Sequence, residues 1–296
     1  MDTSMRAAVR TEGPTDGTGA AGRKVRRPQF VKHLALTLAA LASLFPFYWL
    51  VVMATSTNAE VFTFPPRLYP GDKLFTNLGK VVEAVPLDTA FVNSLIVSVS
   101  AVLLSTFLCS LGGFVFARMR FRGRDKLFGI VLATMVFPTG VTLAPSVQIY
   151  SHLGWMNTFL PLVVPGAASA FGLFWMRQTA LSSIPYELVE AARLDGCGLL
   201  RTYWHVALPA MRPGLAAFGI FGFMWSWNDY MWPLIVLNDP TKYTLPVALA
   251  QLKGNYGNLD YSVVMAGTLV AAIPLIVLFL FCRKAIFSNM VAGALK

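Results

Sequence analysis

The chain has 296 residues, of which 56% are hydrophobic and 13% charged, and a mean hydropathy of +0.60, which excludes an ordinary soluble domain and places it in a membrane. Its net charge of +10 would suit a nucleic-acid binder, but in a membrane chain surplus Lys and Arg mark loops kept in the cytosol, so no nucleic-acid partner is expected. The three cysteines, Cys109, Cys197 and Cys282, are odd in number and far apart, which fits neither a disulfide framework nor a metal site.

Residues 1–32 carry seven basic residues among Gly and Thr and read as a disordered basic cytosolic tail. A helix rises about 1.5 Å per residue, so a hydrocarbon core about 30 Å thick needs roughly 20 apolar residues. Six such runs follow, near 33–54, 91–117, 127–150, 158–180, 209–233 and 261–282. They predict an all-α integral membrane domain over 33–282 with six transmembrane helices, followed by a cytosolic C-terminal tail, 283–296. Arg26 and Arg27 ahead of the first run raise a cleaved signal sequence, but the run is long for a signal's apolar core, so an uncleaved span is expected. Pro138, Pro145, Pro161 and Pro165 predict bends or breaks in the third and fourth runs.

With the N-terminus inside, the inner segments hold seven basic residues in the tail, five in the second-to-third loop (Arg118, Arg120, Arg122, Arg124, Lys126), four around the fourth-to-fifth connection (Arg177, Arg193, Arg201, Arg212) and three at the C-terminus. Arg67, Lys73, Lys80, Lys242 and Lys253 fall outside. The asymmetry predicts that both termini are cytosolic.

Motifs that would make the chain an enzyme or motor are missing. It has no G-x-x-x-x-G-K-[ST] to cradle phosphates, no H-E-x-x-H, and only His33, His152 and His205, scattered. Ion-coupled carriers usually keep ionisable groups within the membrane, and the one acid in these runs is Asp229, in "WSWNDYMWP". It reads either as a proton relay or as an interfacial Asp among belt aromatics. Asn93 and Gln148 are expected to make interhelical hydrogen bonds.

The stretch "YELVEAARLDGCGLL", residues 186–200, is polar and broken by Gly between two apolar runs. Pro185 can start a helix and Tyr186–Leu194 are good helix formers. Leu188, Ala191 and Ala192 share one face at i, i+3 and i+4, with Glu187 and Glu190 on another. Gly196 frees the chain to turn, and Leu208–Pro209 opens the next run. Such a segment is either a short helix exposed for a partner or a solvated connecting loop.

"EAARLDGCGLLRTYWHVALP" resembles the EAA loop of ABC-importer permeases, E-A-A-x-x-D-G followed by the L-P that opens the next helix. "FVNSLIVS", "FARMRFRGRD", "LGWMNTFLPLVVP" and "FWMRQTALSSIPYELVEAARLDG" resemble further segments of the family in order. "WSWNDYMWPLIVLNDPTKYTLPVALAQLKGNY" and "NMVAGALK" are similar to the maltose-type carbohydrate branch, on the side of its second permease subunit. Cys197 stands where Ala or Ser is usual, and Trp155–Met156 where Gly-Leu or Leu-Leu is usual, so Trp155 is a candidate for specificity toward substrate or partner.

The resemblance implies a type I ABC-importer permease (MetI-like) fold, with residues 186–205 forming the coupling helix that docks on an ATP-binding subunit. Carried over, Glu190 would bond the ATPase, Ala191 and Ala192 would permit close approach, Gly196 would permit the turn and Asp195 would anchor the loop locally. The implied partners are a homologous second permease, two ATP-binding subunits holding the ATP and magnesium, an extracytoplasmic sugar-binding protein and membrane lipid, with no cofactor in this chain. Gly254, Asn255, Tyr256 and Gly257 would probe the binding protein's sugar cleft, or form an ordinary turn. Sugar sites stack rings on aromatics and bond hydroxyls, which makes Trp225, Trp227, Asn228, Asp229 and Tyr230 candidate pathway residues, although packing at the lipid interface explains the same cluster. The expected cargo is a di- or oligosaccharide, with glycerol 3-phosphate as the near alternative and an ion-coupled carrier as the remote one.

Overall fold

A computed structural model describes residues 29–253 and 259–294, with side chains of 30–282 apart from 139 and the 254–258 gap. The basic tail therefore lies outside the described residues. Among them there are helices and connections and no strand.

Three helices are long and apolar enough to cross a membrane unbroken: α1 (Gln29–Ala54), α4 (Leu87–Arg118) and α15 (Tyr261–Ala294). Short α2 (Asn58–Val61) and α3 (Leu74–Ala84) fill the first loop. The other spans are bent pairs. α5 (Arg124–Ala133), continued by a 3-10 turn to Val136, meets α6 (Thr139–His152) at 102°. Pro138 stands at that break, where its preference for extended backbone before a new helix ends the first piece. α7 (Leu160–Val163) and a 3-10 turn at Pro165–Ala168 lead at 43° into α8 (Ala170–Ser183). α9 (Tyr186–Leu194) and α10 (Leu199–Thr202) follow; a π-turn (Tyr203–Ala207) and α11 (Leu208–Ala210) then meet α12 (Arg212–Trp227) at 80°. α13 (Met231–Val236) and α14 (Leu245–Gln251) complete the chain before α15.

Two details depart from the expected boundaries. The fifth run, expected over 209–233, is interrupted at Met211 and again after Trp227. The sixth helix does not stop at 282 but stays helical through Ala294, because "CRKAIFSNMVAG" holds no proline and no glycine before its end.

Helix α4 is the axis against which α8 and α12 pack, and glycines set the distance. Cys109, Ser110, Gly113, Phe114 and Ala117 of α4 are buried, and Gly113 lies directly on the backbone of Met176 in α8. Small residues let helices approach closely where lipid supplies no hydrophobic drive of its own. One core cluster joins Cys109, Phe114 and Ala117 to Met176, Ala180, Ile184, Val189, Tyr203, Ala207, Met211 and Phe218.

At the opposite, N-terminal end of α4 a second cluster joins Val81 and Val85 of α3 and its exit, Ala90 of α4, Trp227, Leu245, Ala248 and Leu249 of α14, and Val263, Val264 and Ala266 of α15. Residues 55–90 and 234–253 are thus folded down onto the spans, and buried amides satisfy part of the backbone there. Asn77 Nδ2 donates to the carbonyls of Ala54 and Ser56, both at 2.9 Å. Asn93 Nδ2 donates to Thr241 O at 2.9 Å and Tyr243 O at 3.1 Å, so it bonds a loop backbone rather than another helix's side chain. Ser94 Oγ accepts from Leu245 N at 2.7 Å.

Candidate functional site

Helix α9 stands next to the C-terminal end of α4. Val189 and Ala192, one turn apart, are 0% and 6% exposed, and Val189 joins the core of α4 and α8. The rest of the helix is turned outward: Glu187, Leu188, Glu190, Ala191, Arg193 and Leu194 are all exposed, Leu194 at 89%. This corrects the expected grouping. Ala191 shares an outward face with Leu188, but Ala192 lies on the inward one, because burying Val189 turns its i+3 neighbour inward as well. Ala192's small size therefore serves packing within this chain, and Leu194 takes its place beside Leu188 and Ala191 on the exposed stripe.

The helix ends in a Schellman motif. Gly196 has φ +73°, its N–H donates to Arg193 O at 3.0 Å, and Cys197 N donates to Ala192 O at 2.9 Å. An added Cβ at Gly196 would meet nothing within 4 Å, so the left-handed backbone alone demands glycine there. Gly196→Ala is expected to destabilise the turn by about 1–2 kcal/mol, the cost of placing an L side chain in that region, and to lower the thermal midpoint of the purified protein. An unchanged midpoint would remove the structural role given to this glycine.

The exposed carboxylates of Glu187, Glu190 and Asp195 make no hydrogen bond or ion pair with the described residues. Asp195 caps the helix through its backbone, not its side chain. Arg193 turns away from Glu190 to place Nη2 3.3 Å from Met119 Sδ. Around it, Arg120 lies 5.0 Å from the Tyr186 ring centroid and Arg118 Nη2 donates to Leu181 O at 2.8 Å. The structure thus holds α9 firmly on its inner side and leaves negative and apolar groups together on its outer side.

The residues singled out around "WSWNDYMWP" do not form one surface. Trp225 is 76% exposed, and Asn228 and Tyr230 are exposed beside it. Trp227 is 2% exposed: its Nε1 donates to Ala271 O at 3.0 Å, and its ring stacks on Phe223 and meets Phe91 edge-on. Two residues apart, the indoles are rotated by about 200° around the helix and fall on opposite faces, so Trp227 is a core residue and leaves the pathway set. Half-buried Asp229 accepts from Trp232 N at 3.4 Å, at the start of α13. Gly254, Asn255, Tyr256 and Gly257 lie outside the described residues.

Two features were missed by sequence reasoning. Asn157, at φ +58°, accepts on Oδ1 from Asn238 N and Asp239 N, each at 3.1 Å, while its carbonyl receives Lys242 Nζ at 3.0 Å. It ties "LGWMNT" to "VLNDPTK", and its signal was available, since Asn is the non-glycine residue that best tolerates this backbone. Trp155 stacks on Tyr150, centroids 6.1 Å apart, in the cluster with Val236 and Leu237, so it packs the same junction. The second missed feature is fully buried Tyr203, whose hydroxyl lies 2.7 Å from Ser110 Oγ.

Comparison with known proteins agrees with this architecture. Residues 109–290 match the family described as binding-protein-dependent transport system inner membrane component. The chain is 31% identical over 271 residues to the lactose transport system permease protein LacG of Rhizobium radiobacter, covering 92% of this chain and 97% of that one. It is 32% identical over 269 residues to the sn-glycerol-3-phosphate transport system permease protein UgpE of Salmonella typhi, covering 88% and 94%. Among solved structures, a bacterial ABC transporter involved in the import of the acidic polysaccharide alginate superposes with a TM-score of 0.76 at 27% identity, over 86% of this chain and 95% of that one.

Proposed function

This chain belongs to the family of binding-protein-dependent transport system inner membrane components, and from that membership we propose that it is the permease subunit of an ATP-driven importer for a di- or oligosaccharide. It pairs with a homologous permease, two ATP-binding subunits and an extracytoplasmic sugar-binding protein, and both its termini are cytosolic. The observation that carries this reading is α9: a short helix keyed into the spans through Val189, with Glu190 and the Leu188–Ala191–Leu194 stripe exposed and unpartnered.

In this reading the ATPases hydrolyse ATP and the permease converts their closure into alternating access. Glu190 pairs with a cation or donor of the ATPase, and Leu188, Ala191 and Leu194 enter its cleft. Because Val189 and Ile184 are packed into the α4–α8 core, displacement of α9 is delivered to the spans instead of being lost in a loose loop. At the other end of the bundle, exposed Trp225, Asn228 and Tyr230 are the candidate contacts for sugar, one supplying a ring face and the others hydrogen bonds. Gly254–Gly257 is the candidate contact with the binding protein.

The similarity to the glycerol-3-phosphate permease supports a second cargo class. One experiment separates these readings. The tagged chain, purified from its native membrane in mild detergent, is expected to bring down a P-loop ATPase, a second permease and a binding protein, and the binding protein is then screened against sugars and glycerol phosphate. A chain that purifies alone and still carries solute into liposomes without ATP would overturn the proposal.

A further inference from the structure

The connection between α9 and the fifth span is not a plain loop. Leu208 N–H bonds back to Tyr203 O, five residues earlier, so Tyr203–Ala207 is a π-turn. Its cause lies one residue on. Pro209 has no N–H for the carbonyl of His205, and its ring crowds that carbonyl, which favours a widened turn just before it. Wide turns of this kind are rare in helices and frequently mark functional positions.

The widened turn drives Tyr203 into α4. Its side chain is 0% exposed, and its ring contacts Phe107 and Phe114, with centroids 6.4 Å and 6.1 Å away. Between those two residues, on the same face of α4, Ser110 is also 0% exposed, and the Tyr203 hydroxyl and Ser110 Oγ are 2.7 Å apart. Ser110 Oγ can donate to Phe107 O, at 3.1 Å, while it accepts from Tyr203. Among the described residues this is the one buried side-chain hydrogen bond between 186–210 and α4; the polar link from Arg193 to Met119, just past the end of α4, is exposed.

Apolar contacts with Phe107 and Phe114 hold the ring but allow it to slide along the helix. The hydroxyl pair does not, because a hydrogen bond weakens steeply as its geometry is lost. We propose that Tyr203, bonded to Ser110, is the positioning residue that fixes the register between the coupling segment and α4, so that motion of α9 is passed to the central span. The proposal rests on the permease reading above and names the contact through which its transmission passes.

The test uses the assembled importer, reconstituted in liposomes with its co-purified binding protein as the probe. The binding protein acts on one side and the ATPases on the other, so its stimulation of ATP hydrolysis must cross the permeases. Tyr203→Phe keeps the ring and removes the bond; stimulation is expected to fall about five- to tenfold, the equilibrium shift that one hydrogen bond supports, with the unstimulated rate nearly unchanged and the thermal midpoint lowered only by what one hydrogen bond contributes. Ser110→Ala is expected to do the same, and the double variant to be no worse than either single one, since both remove one interaction. A residue that only packs would lower the midpoint and both rates together. Stimulation of Tyr203→Phe at the wild-type level, or additive losses in the double variant, would overturn the inference while leaving the permease reading intact. Failure of the wild-type complex to be stimulated at all would instead sink that reading.

Discussion

Replacing Glu190 by Lys is expected to abolish coupled transport while the chain still inserts, folds and packs its spans. The carboxylate is exposed and bonds nothing among the described residues, so its reversal costs the fold nothing that the structure shows. What changes is the surface that α9 offers. In the proposed pairing with a cation of the partner, the carboxylate becomes an ammonium facing that cation, and loss of one member of a desolvated charge pair costs about 2–5 kcal/mol. Each 1.4 kcal/mol is tenfold, so uptake should fall by between about thirtyfold and a few thousandfold. Glu190→Gln, which removes charge but keeps a polar group of the same shape, should fall between. Glu83→Lys makes the same charge change at an exposed position of α3, at the other end of α4, and should transport near normally. The check is uptake and ATP hydrolysis side by side in cells expressing each variant at equal level. Wild-type uptake by Glu190→Lys would refute the role given to α9.

The parts of the molecule that could be read in advance are those governed by local chemistry. The apolar runs announce the spans, Pro138 announces the break before α6, and Pro165 the short turn before α8. Pro185 and Gly196 bracket α9, the glycine because its backbone is left-handed. Faces were harder. Leu188, Ala191 and Ala192 fit one stripe on a helical wheel, but Val189 decides the rotation, and nothing local says that Val189 rather than Leu188 meets Ile184 and Tyr203. The tryptophans posed the same problem, since an indole near a span end serves equally in a lipid belt or a core; only the carbonyl of Ala271 and the rings of Phe91 and Phe223 commit Trp227 to the latter. Asn77, Asn93 and Asn157 show why polar residues resist sequence reading: each satisfies a loop's backbone, and which loop comes alongside is a tertiary fact.

Gly113→Ala is expected to damage the fold although it adds a single methyl group. A Cβ built there would lie 2.6 Å from the carbonyl carbon and Cβ of Met176 and 2.7 Å from Arg177 N, where unbonded carbons need about 3.5–4.0 Å. A flexible side chain could rotate away, but these are mostly backbone atoms of α8, so the helix must retreat by roughly an ångström. Over-packing of this kind costs about 1–3 kcal/mol, and it acts on a helix whose C-terminal neighbours, Ile184 and Val189, seat α9. Function should therefore fail together with stability, in contrast to Glu190→Lys, where only function fails. Gly79→Ala in α3 is the matched control: its Cβ would meet nothing within 4 Å, and alanine there should stabilise the helix by about 0.5–1 kcal/mol. Thermal unfolding of the purified complexes, followed alongside ATP-driven uptake, measures both. If Gly113→Ala melted with the wild type, the close contact of α4 and α8 would not be what holds α9 in place.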